Sequence, residues 1–336
     1  MVFYIRRYLS FYIAIELLLI IILISIIAYK VLIERQVNIT SIKKTDVIYS
    51  ASNSADFEHY YEPKPNTLDS GEEKWLSFVP HYSINSDTLN EVKTYSQKKQ
   101  NSVFRMVALG DSFTFGQYVN TKDNWTELLE VDLKKRCPKT AFEVINLGVY
   151  GYDLAFSFYR YEKRGEKYNP DLILFLLKED DFDEIKNITA EAKWDFIDNF
   201  KKDPQNAEAL KRELIEKELN RMAALEGEAF LRKYYSESEV IDYQLRYLQR
   251  LVDMRRTLLV FNIFNFPPEI EKRIEAMMKK TPHALFETKK LQINELRNPP
   301  YNYLPYDSHA TVKGNILIKE RLMDYLIQNN LIPCKK

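Results

Sequence analysis

Short apolar runs alternate with segments of helical periodicity beyond residue 100, and this alternation limits the possible folds more than any other feature. Four runs are short, mostly apolar and bounded by turn residues, as buried strands are. These runs are Val103–Leu109, Ala141–Gly148, Asp171–Leu177 and Thr257–Phe264. Strands that alternate with helices at this spacing predict an α/β fold, in which helices cover a mainly parallel sheet.

The segments between these strands have the apolar spacing of helices. Two examples are "NWTELLEVDLKKRC" after the first strand and the closing segment Val312–Asn330. From about residue 200 to residue 256 the chain is highly charged and also has a helical pattern. We expect this stretch to be a solvated helical insertion that lies over the sheet.

An apolar run near the N-terminus, Leu9–Tyr29, contains one charged residue, Glu16. Its length is close to the roughly 20 residues that a helix needs to cross a bilayer. It is too long for the apolar region of a signal peptide, and no small-residue cleavage site follows it. The run therefore predicts an uncleaved single-pass membrane anchor at 9–29, preceded by a short tail at 1–8. Basic residues lie on both sides of it, so the positive-inside rule is weak evidence for orientation.

Residues 30–99 are polar and aromatic with scattered prolines, which indicates a linker and an irregular pre-domain before the main domain at 100–336. Basic and acidic residues are equal in number, 48 each, so the chain has no general attraction for nucleic acids. The two cysteines, Cys137 and Cys334, lie far apart and lack metal-ligand spacing. We therefore expect neither a structural zinc site nor a disulfide framework.

The stretch "GDSFTFG", Gly110–Gly116, follows the first strand and precedes a helical segment. A serine at this turn can present its hydroxyl above the carboxyl end of the sheet, where open α/β folds bind ligands. The competing interpretation is structural, because Asp111 or Ser112 can simply cap the helix that follows. The G-x-S-x-G pattern of α/β-hydrolases is absent.

A serine nucleophile needs a base, and the base needs an acid to orient it. Among the four histidines, His309 has Asp307 two residues before it. Alternate residues of an extended segment point to the same side, so Asp307 can hold the ring of His309. The competing interpretation is a loop histidine that caps the last helix.

Three stretches together, "GDSFTFG", "INLGVYGYD" and "YDSHATVKGN", resemble the SGNH (GDSL-type) hydrolases, and especially their membrane-anchored bacterial members. The resemblance covers roughly Val103 to Asn330, apart from the helical insertion. It implies a three-layer sandwich of the SGNH or flavodoxin-like type, without a cofactor or a metal. It also implies that Ser112 is the nucleophile and that His309 is its base, oriented by Asp307. The backbone N–H groups of Ser112 and Gly151 would be two donors to the oxyanion.

One position departs from the family pattern. The family has Gly-Asn-Asp after the third strand, and the asparagine side chain is a third oxyanion donor. Here the stretch reads "LLKEDDF", with Glu179 in place of the glycine and Asp180 in place of the asparagine. An ionised carboxylate cannot donate a hydrogen bond, and losing one such donor typically costs about 10²–10³ in rate. Asp180 is therefore protonated, or another group donates, or the activity is low.

The resemblance predicts a membrane-anchored serine esterase that hydrolyses an acyl ester, such as an O-acetyl ester, on a cell-envelope carbohydrate or lipid. The catalytic domain is expected to be extracytoplasmic. Two alternatives remain open. An O-acyltransferase would use the same three residues, and a catalytically impaired, membrane-bound glycan-binding or assembly protein would explain Asp180. The sequence does not indicate protein partners.

Overall fold

The structure is a computed structural model that describes residues 47–49, 60–71, 73–202 and 213–334. Its strands are β1 (Val47–Tyr49), β2 (Tyr61–Pro63), β3 (Thr67–Ser70), β4 (His81–Ile84), β5 (Val103–Leu109), β6 (Ala141–Asn146), β7 (Leu172–Leu176), β8 (Leu258–Phe261), β9 (Ala284–Glu287), β10 (Asn302–Tyr303) and β11 (Asp307–Ala310). Its α-helices are α1 (Ser112–Phe115), α2 (Trp125–Arg136), α3 (Leu154–Arg160), α4 (Lys186–Lys202), α5 (Glu213–Tyr234), α6 (Glu237–Asp253), α7 (Pro268–Met278) and α8 (Val312–Gln328).

The predicted membrane anchor, Leu9–Tyr29, and the tail before it lie outside the described residues. Within the described part of the chain, none of the helices combines the length and the apolar character that crossing a membrane requires.

The centre of the fold is a five-stranded parallel sheet with the order β6-β5-β7-β8-β9. The four strands predicted from apolar runs are its first four members, and the predicted parallel α/β fold is confirmed. The fifth strand, β9, was not predicted from the sequence, because it is short and its residues after Ala284 are partly exposed at the edge of the sheet. Numbered along the chain, the order is 2-1-3-4-5, as in flavodoxin-like folds.

Helices cover both faces of this sheet. Along β5, Val107 and Leu109 belong to one buried cluster, to which α3, α6 and α7 also contribute. Met106 and Ala108 point the other way, into a second cluster that includes residues of α2 and α8. Successive side chains of a strand point to opposite faces, so the apolar stretch Met106–Leu109 of β5 is buried from both sides. The sheet is the middle of three layers.

The helical insertion begins earlier than predicted, because α4 starts at Lys186. Helices α4 and α5 share a small apolar cluster of their own, in which Ile197, Leu219 and Ala223 are buried. Helix α6 differs, since Leu248 and Leu251 lie in the main core. The insertion is thus only partly solvated, and its last helix belongs to the layer that covers the sheet.

Cys137 and Cys334 form a disulfide bond, with their Cα atoms 5.1 Å apart. The expectation that they form no disulfide was wrong. It was based on their distance in sequence, whereas α2 and α8 pack into the same cluster and bring the two cysteines together. A hydrogen bond from Thr140 Oγ1 to the carbonyl of Pro333, 2.8 Å long, lies beside the disulfide.

Residues 60–71 and 73–99 pack against the α/β layers. Tyr60, Leu89 and Tyr95 are buried members of the main core. Glu62 on β2 is also buried, and its carboxylate lies 2.7 Å from the guanidinium of Arg160 on α3. This segment therefore supplies both apolar and charged contacts to the interior.

Candidate functional site

The turn after β5 places Ser112 at the carboxyl end of the sheet. Gly110 has φ +145°, and a Cβ there would lie 2.8 Å from the carbonyl oxygen of Leu176 on the neighbouring strand, so only glycine fits. Asp111 caps α1, because its Oδ1 accepts the backbone N–H of Phe113 at 2.9 Å. The helix-cap interpretation of "GDS" thus applies to Asp111, and the interpretation as a presented hydroxyl applies to Ser112. The aspartate is the cap, and the hydroxyl of Ser112 is available for other contacts.

His309 meets Ser112 across the site. Its Nε2 lies 2.6 Å from the Oγ of Ser112, and its Nδ1 lies 2.5 Å from the Oδ1 of Asp307. Asp307 and His309 lie on β11, where their spacing puts both on one side of the strand, as the sequence predicted. The cap of α8 is Thr311, whose Oγ1 accepts the N–H of Gly314 at 3.3 Å. His309 therefore does not cap that helix.

Two aromatic rings hold the imidazole in place. Phe113 stacks on it with ring centroids 4.8 Å apart, and Tyr118 meets it edge to face at 5.4 Å. Asp307 fixes the backbone as well as the ring, because its Oδ1 also accepts the N–H of His309 at 2.7 Å. The orientation of the ring is thus set by packing as well as by hydrogen bonds.

Asp307 is negatively charged, as an acid that orients the imidazole of His309 must be. Burial alone would raise the pKa of its carboxyl, but the hydrogen bonds and the electrostatic attraction that it receives from His309 outweigh burial and hold the pKa below its ordinary value. An ionised Asp307 favours the tautomer with a proton on Nδ1, which leaves Nε2 as the acceptor facing Ser112. The three side chains can therefore remove the proton of the serine hydroxyl and stabilise the imidazolium that forms.

Gly151 lies in the loop after β6, which runs beside α1. Its φ is +71°, and it is exposed. The same loop approaches α1 closely, since a Cβ on Gly148 would lie 2.5 Å from the backbone nitrogen of Phe115. Among the residues that the structure describes, the N–H groups of Ser112 and Gly151 have no hydrogen-bond acceptor. Both are thus available to a bound group, and the assignment of Gly151 as a donor stays a prediction.

Asp180 lies after β7, and its side chain is 57% exposed. Its Oδ2 accepts a hydrogen bond from the Nζ of Lys178 at 2.9 Å. The same ammonium lies 3.4 Å from the Oδ2 of Asp111 and 4.6 Å from the centre of the Phe113 ring. Lys178 was missed in the sequence analysis. Its place two residues after the end of the parallel strand β7 was a signal, because residues there face the ligand-binding end of the sheet.

Asp181, the next residue, accepts a hydrogen bond from the backbone. Its Oδ2 accepts the N–H of Lys178 at 2.7 Å. Burial and the nearby charges of Asp111 and Asp180 raise its pKa well above the ordinary value. Oxygens of these three carboxyl groups lie within 4.8 Å of one another, and the ammonium of Lys178 brings a positive charge to two of them.

Four aromatic rings, which we call the aromatic edge, line the side of the site next to His309. The aromatic edge consists of Trp75, Tyr118, Tyr303 and Tyr306. Trp75 and Tyr306 are nearly parallel, with an angle of 8° between their planes and centroids 5.9 Å apart. Tyr306 is 51% exposed. Trp75 comes from the segment before the main domain, so its nearness to the site was not visible in the sequence pattern.

No protein-family model matches the sequence, and no curated protein matches it either. Several solved structures are similar to it in fold. The psychrotrophic esterase EstA from Pseudoalteromonas sp. is 13% identical, with 68% of this chain and 99% of that chain covered at a TM-score of 0.44. A protein from Desulfitobacterium hafniense assigned to the G-D-S-L lipolytic family is 13% identical, with 66% and 98% covered at a TM-score of 0.39. A variant of an acetyl-xylooligosaccharide esterase from Geobacillus is 14% identical, with 68% and 95% covered at a TM-score of 0.40.

Proposed function

We propose that this protein is a serine ester hydrolase of the SGNH type, with Ser112 as the nucleophile, His309 as the general base and Asp307 as the acid that orients the base. The observation that carries the proposal is the 2.6 Å contact between the Oγ of Ser112 and the Nε2 of His309, with Asp307 on the other ring nitrogen. Nucleophile, base and orienting acid in hydrogen-bond reach are the general requirement for this chemistry.

The reaction has two halves. In the first, the Oγ of Ser112 attacks the acyl carbon while Nε2 of His309 takes its proton. The ester C–O bond then breaks, and the leaving alcohol receives that proton. In the second half, His309 deprotonates a water molecule that attacks the acyl-enzyme, and the carboxylic acid leaves while Ser112 regains its proton. Asp307 remains a carboxylate throughout and stabilises the imidazolium. The N–H groups of Ser112 and Gly151 donate to the oxyanion of each tetrahedral intermediate.

The substrate that we propose is an acyl ester of a carbohydrate, for example an O-acetyl ester. The aromatic edge supports this class over a lipid. Pyranose rings stack their C–H faces on accessible aromatic rings, and the aromatic edge offers the half-exposed ring of Tyr306 and the partly exposed ring of Trp75 on the side of the site next to His309. A long acyl chain is better served by a deep apolar channel. The ester group would reach Ser112 while the sugar lies on the aromatic edge.

We also propose that the catalytic domain is extracytoplasmic and tethered by the apolar run Leu9–Tyr29. The length of this run supports a membrane span. The disulfide between Cys137 and Cys334 supports the location, because disulfides persist mainly in oxidising compartments.

The test uses the full chain, purified in detergent, with p-nitrophenyl acetate as substrate and a fluorophosphonate as active-site probe. We expect ester turnover and covalent labelling at Ser112, and Ser112→Ala should abolish both. Ser308→Ala is the matched control, because Ser308 is an exposed serine on β11 next to His309. A folded wild-type chain that neither turns over the ester nor takes the label would overturn the proposal. Released acetate, rather than acetyl transfer to an added oligosaccharide, distinguishes the hydrolase from an acyltransferase.

A further inference from the structure

An ion pair occupies the place where the resemblance leads us to expect a neutral amide donor. Asp180 stands at the asparagine position, and its carboxylate accepts a hydrogen bond from Lys178. A carboxylate that accepts from an ammonium cannot also donate to an oxyanion. The ammonium beside it can donate, so the charge and the donor at this place come from Lys178.

Lys178 is held close to the nucleophile. One carboxylate oxygen, Oδ2 of Asp111, lies 3.4 Å from the Nζ of Lys178 and 3.5 Å from the Oγ of Ser112. The ammonium also lies over the ring of Phe113, and that ring stacks on the imidazole of His309. The lysine side chain is 16% exposed, so its position is set by these neighbours rather than by solvent.

One N–H group of the Lys178 ammonium has no hydrogen-bond acceptor among the described residues. A lysine ammonium has three N–H donors, and the described residues offer it two hydrogen-bond acceptors, Asp180 and Asp111. Burial alone would lower the pKa of Lys178, but the charges of Asp111 and Asp180 outweigh burial and raise it. The group therefore stays positively charged across the pH range in which an esterase operates.

We infer that Lys178 is the third oxyanion donor of this site: its ammonium donates to the negative oxygen that develops on the acyl carbonyl when Ser112 attacks, and Asp180 positions the ammonium. The inference rests on the proposed function. It explains how the site tolerates an aspartate at the position where the SGNH pattern has asparagine. A positive charge near the developing oxyanion stabilises the transition state and not the bound substrate, so it should raise kcat and leave KM unchanged.

The first test is Lys178→Met, which keeps the length of the side chain and removes its charge and its donors. We expect kcat for p-nitrophenyl acetate to fall about 10²–10³-fold, the usual cost of one oxyanion donor, with little change in KM. Lys178→Arg keeps the charge and the donors, and should retain activity within about tenfold of the wild type. A merely structural ion pair would lower the thermal midpoint of Lys178→Met and leave kcat unchanged.

The second test is a rescue. Asp180→Asn introduces an amide donor at the family position, so the double variant Lys178→Met with Asp180→Asn should recover most of the lost kcat. If Lys178→Met folds and retains wild-type kcat, or if Lys178→Arg is as inactive as Lys178→Met, the inference is wrong while the proposed function stands. A wild-type chain without Ser112-dependent turnover overturns both.

Discussion

The Nε2 of His309 lies 2.6 Å from the Oγ of Ser112, although 197 residues separate them along the chain. The strand order explains how they meet. Ser112 follows β5, and Lys178 follows the adjacent strand β7, where the order of strands in the sheet reverses. Ligands bind at this switch point in open α/β sheets. The β10–β11 hairpin, which follows the last strand of the sheet, brings His309 to the same place.

Removal of the imidazole should abolish most of the activity. We expect His309→Ala to lower kcat/KM for p-nitrophenyl acetate by about 10⁴-fold or more, because the base and the proton shuttle are lost together. His81→Ala is the control, since His81 is exposed on β4. Steady-state kinetics measure the effect, and a His309→Ala variant with near-wild-type kcat/KM would rule out the general-base assignment.

Glu62 should make folding stability depend on acid pH. Burial alone would raise the pKa of its carboxyl, but Arg164, Arg160 and Lys163 lower the pKa from 4.5 to about 2. The carboxyl binds its proton less tightly in the folded chain, so its stabilisation is present above about pH 4.5 and is lost as the pH falls towards 2. A shift of this size corresponds to about 3 kcal/mol.

We therefore expect Glu62→Gln to lower the free energy of unfolding by about 3 kcal/mol at pH 7. The difference from the wild type should shrink between pH 4.5 and pH 2. Urea titrations at several pH values measure the difference in the free energy of unfolding. Glu275→Gln, at an exposed position on α7, is the control. An effect of Glu62→Gln that does not change with pH would contradict this assignment.

The disulfide should stabilise the fold. Cys137 and Cys334 close a loop that contains most of the α/β domain. Replacing both cysteines with alanine is expected to lower the free energy of unfolding by about 2–4 kcal/mol. A reducing agent should destabilise the wild type by a similar amount and leave the double variant unchanged. Free thiols in the unfolded, unreduced wild type would show that the bond does not form.

The aromatic edge should matter for large substrates and not for small ones. We expect Trp75→Ala to raise KM for an acetylated oligosaccharide about tenfold, the loss of one stacking contact of roughly 1.4 kcal/mol, and to leave KM for p-nitrophenyl acetate unchanged. Tyr234→Ala removes an exposed ring far along α5 and is the control. Equal effects on both substrates would place Trp75 in a structural role.

Local patterns in the sequence were sufficient for part of this architecture. Strands β7 and β8 are buried throughout, and β5 and β6 are buried over most of their length, so their mainly apolar runs were easy to recognise. The spacing of Asp307 and His309 was also informative, because alternation along a strand depends on backbone geometry alone. The juxtaposition of His309 with Ser112 came from the resemblance rather than from any local pattern.

What the sequence did not indicate depends on tertiary contacts. Strand β9 is partly exposed at the edge of the sheet, so it lacks a continuous apolar signal. The disulfide and the position of Trp75 follow from how distant segments pack, which spacing does not encode. The stretch "LLKEDDF" contains Lys178, but the sequence does not indicate that its side chain turns back over the ring of Phe113. That direction depends on the fold of the site.

The burial of Glu62 beside Arg160 sets where a recombinant fragment should start. A truncation at residue 100 would keep every strand of the sheet and yet remove Tyr60 from the core and the carboxylate from Arg160. The apolar side chains that Tyr60, Leu89 and Tyr95 cover would then be exposed to water, and this loss of buried apolar surface is costly enough to unfold a marginally stable domain. A shortened chain should therefore begin upstream of Tyr60.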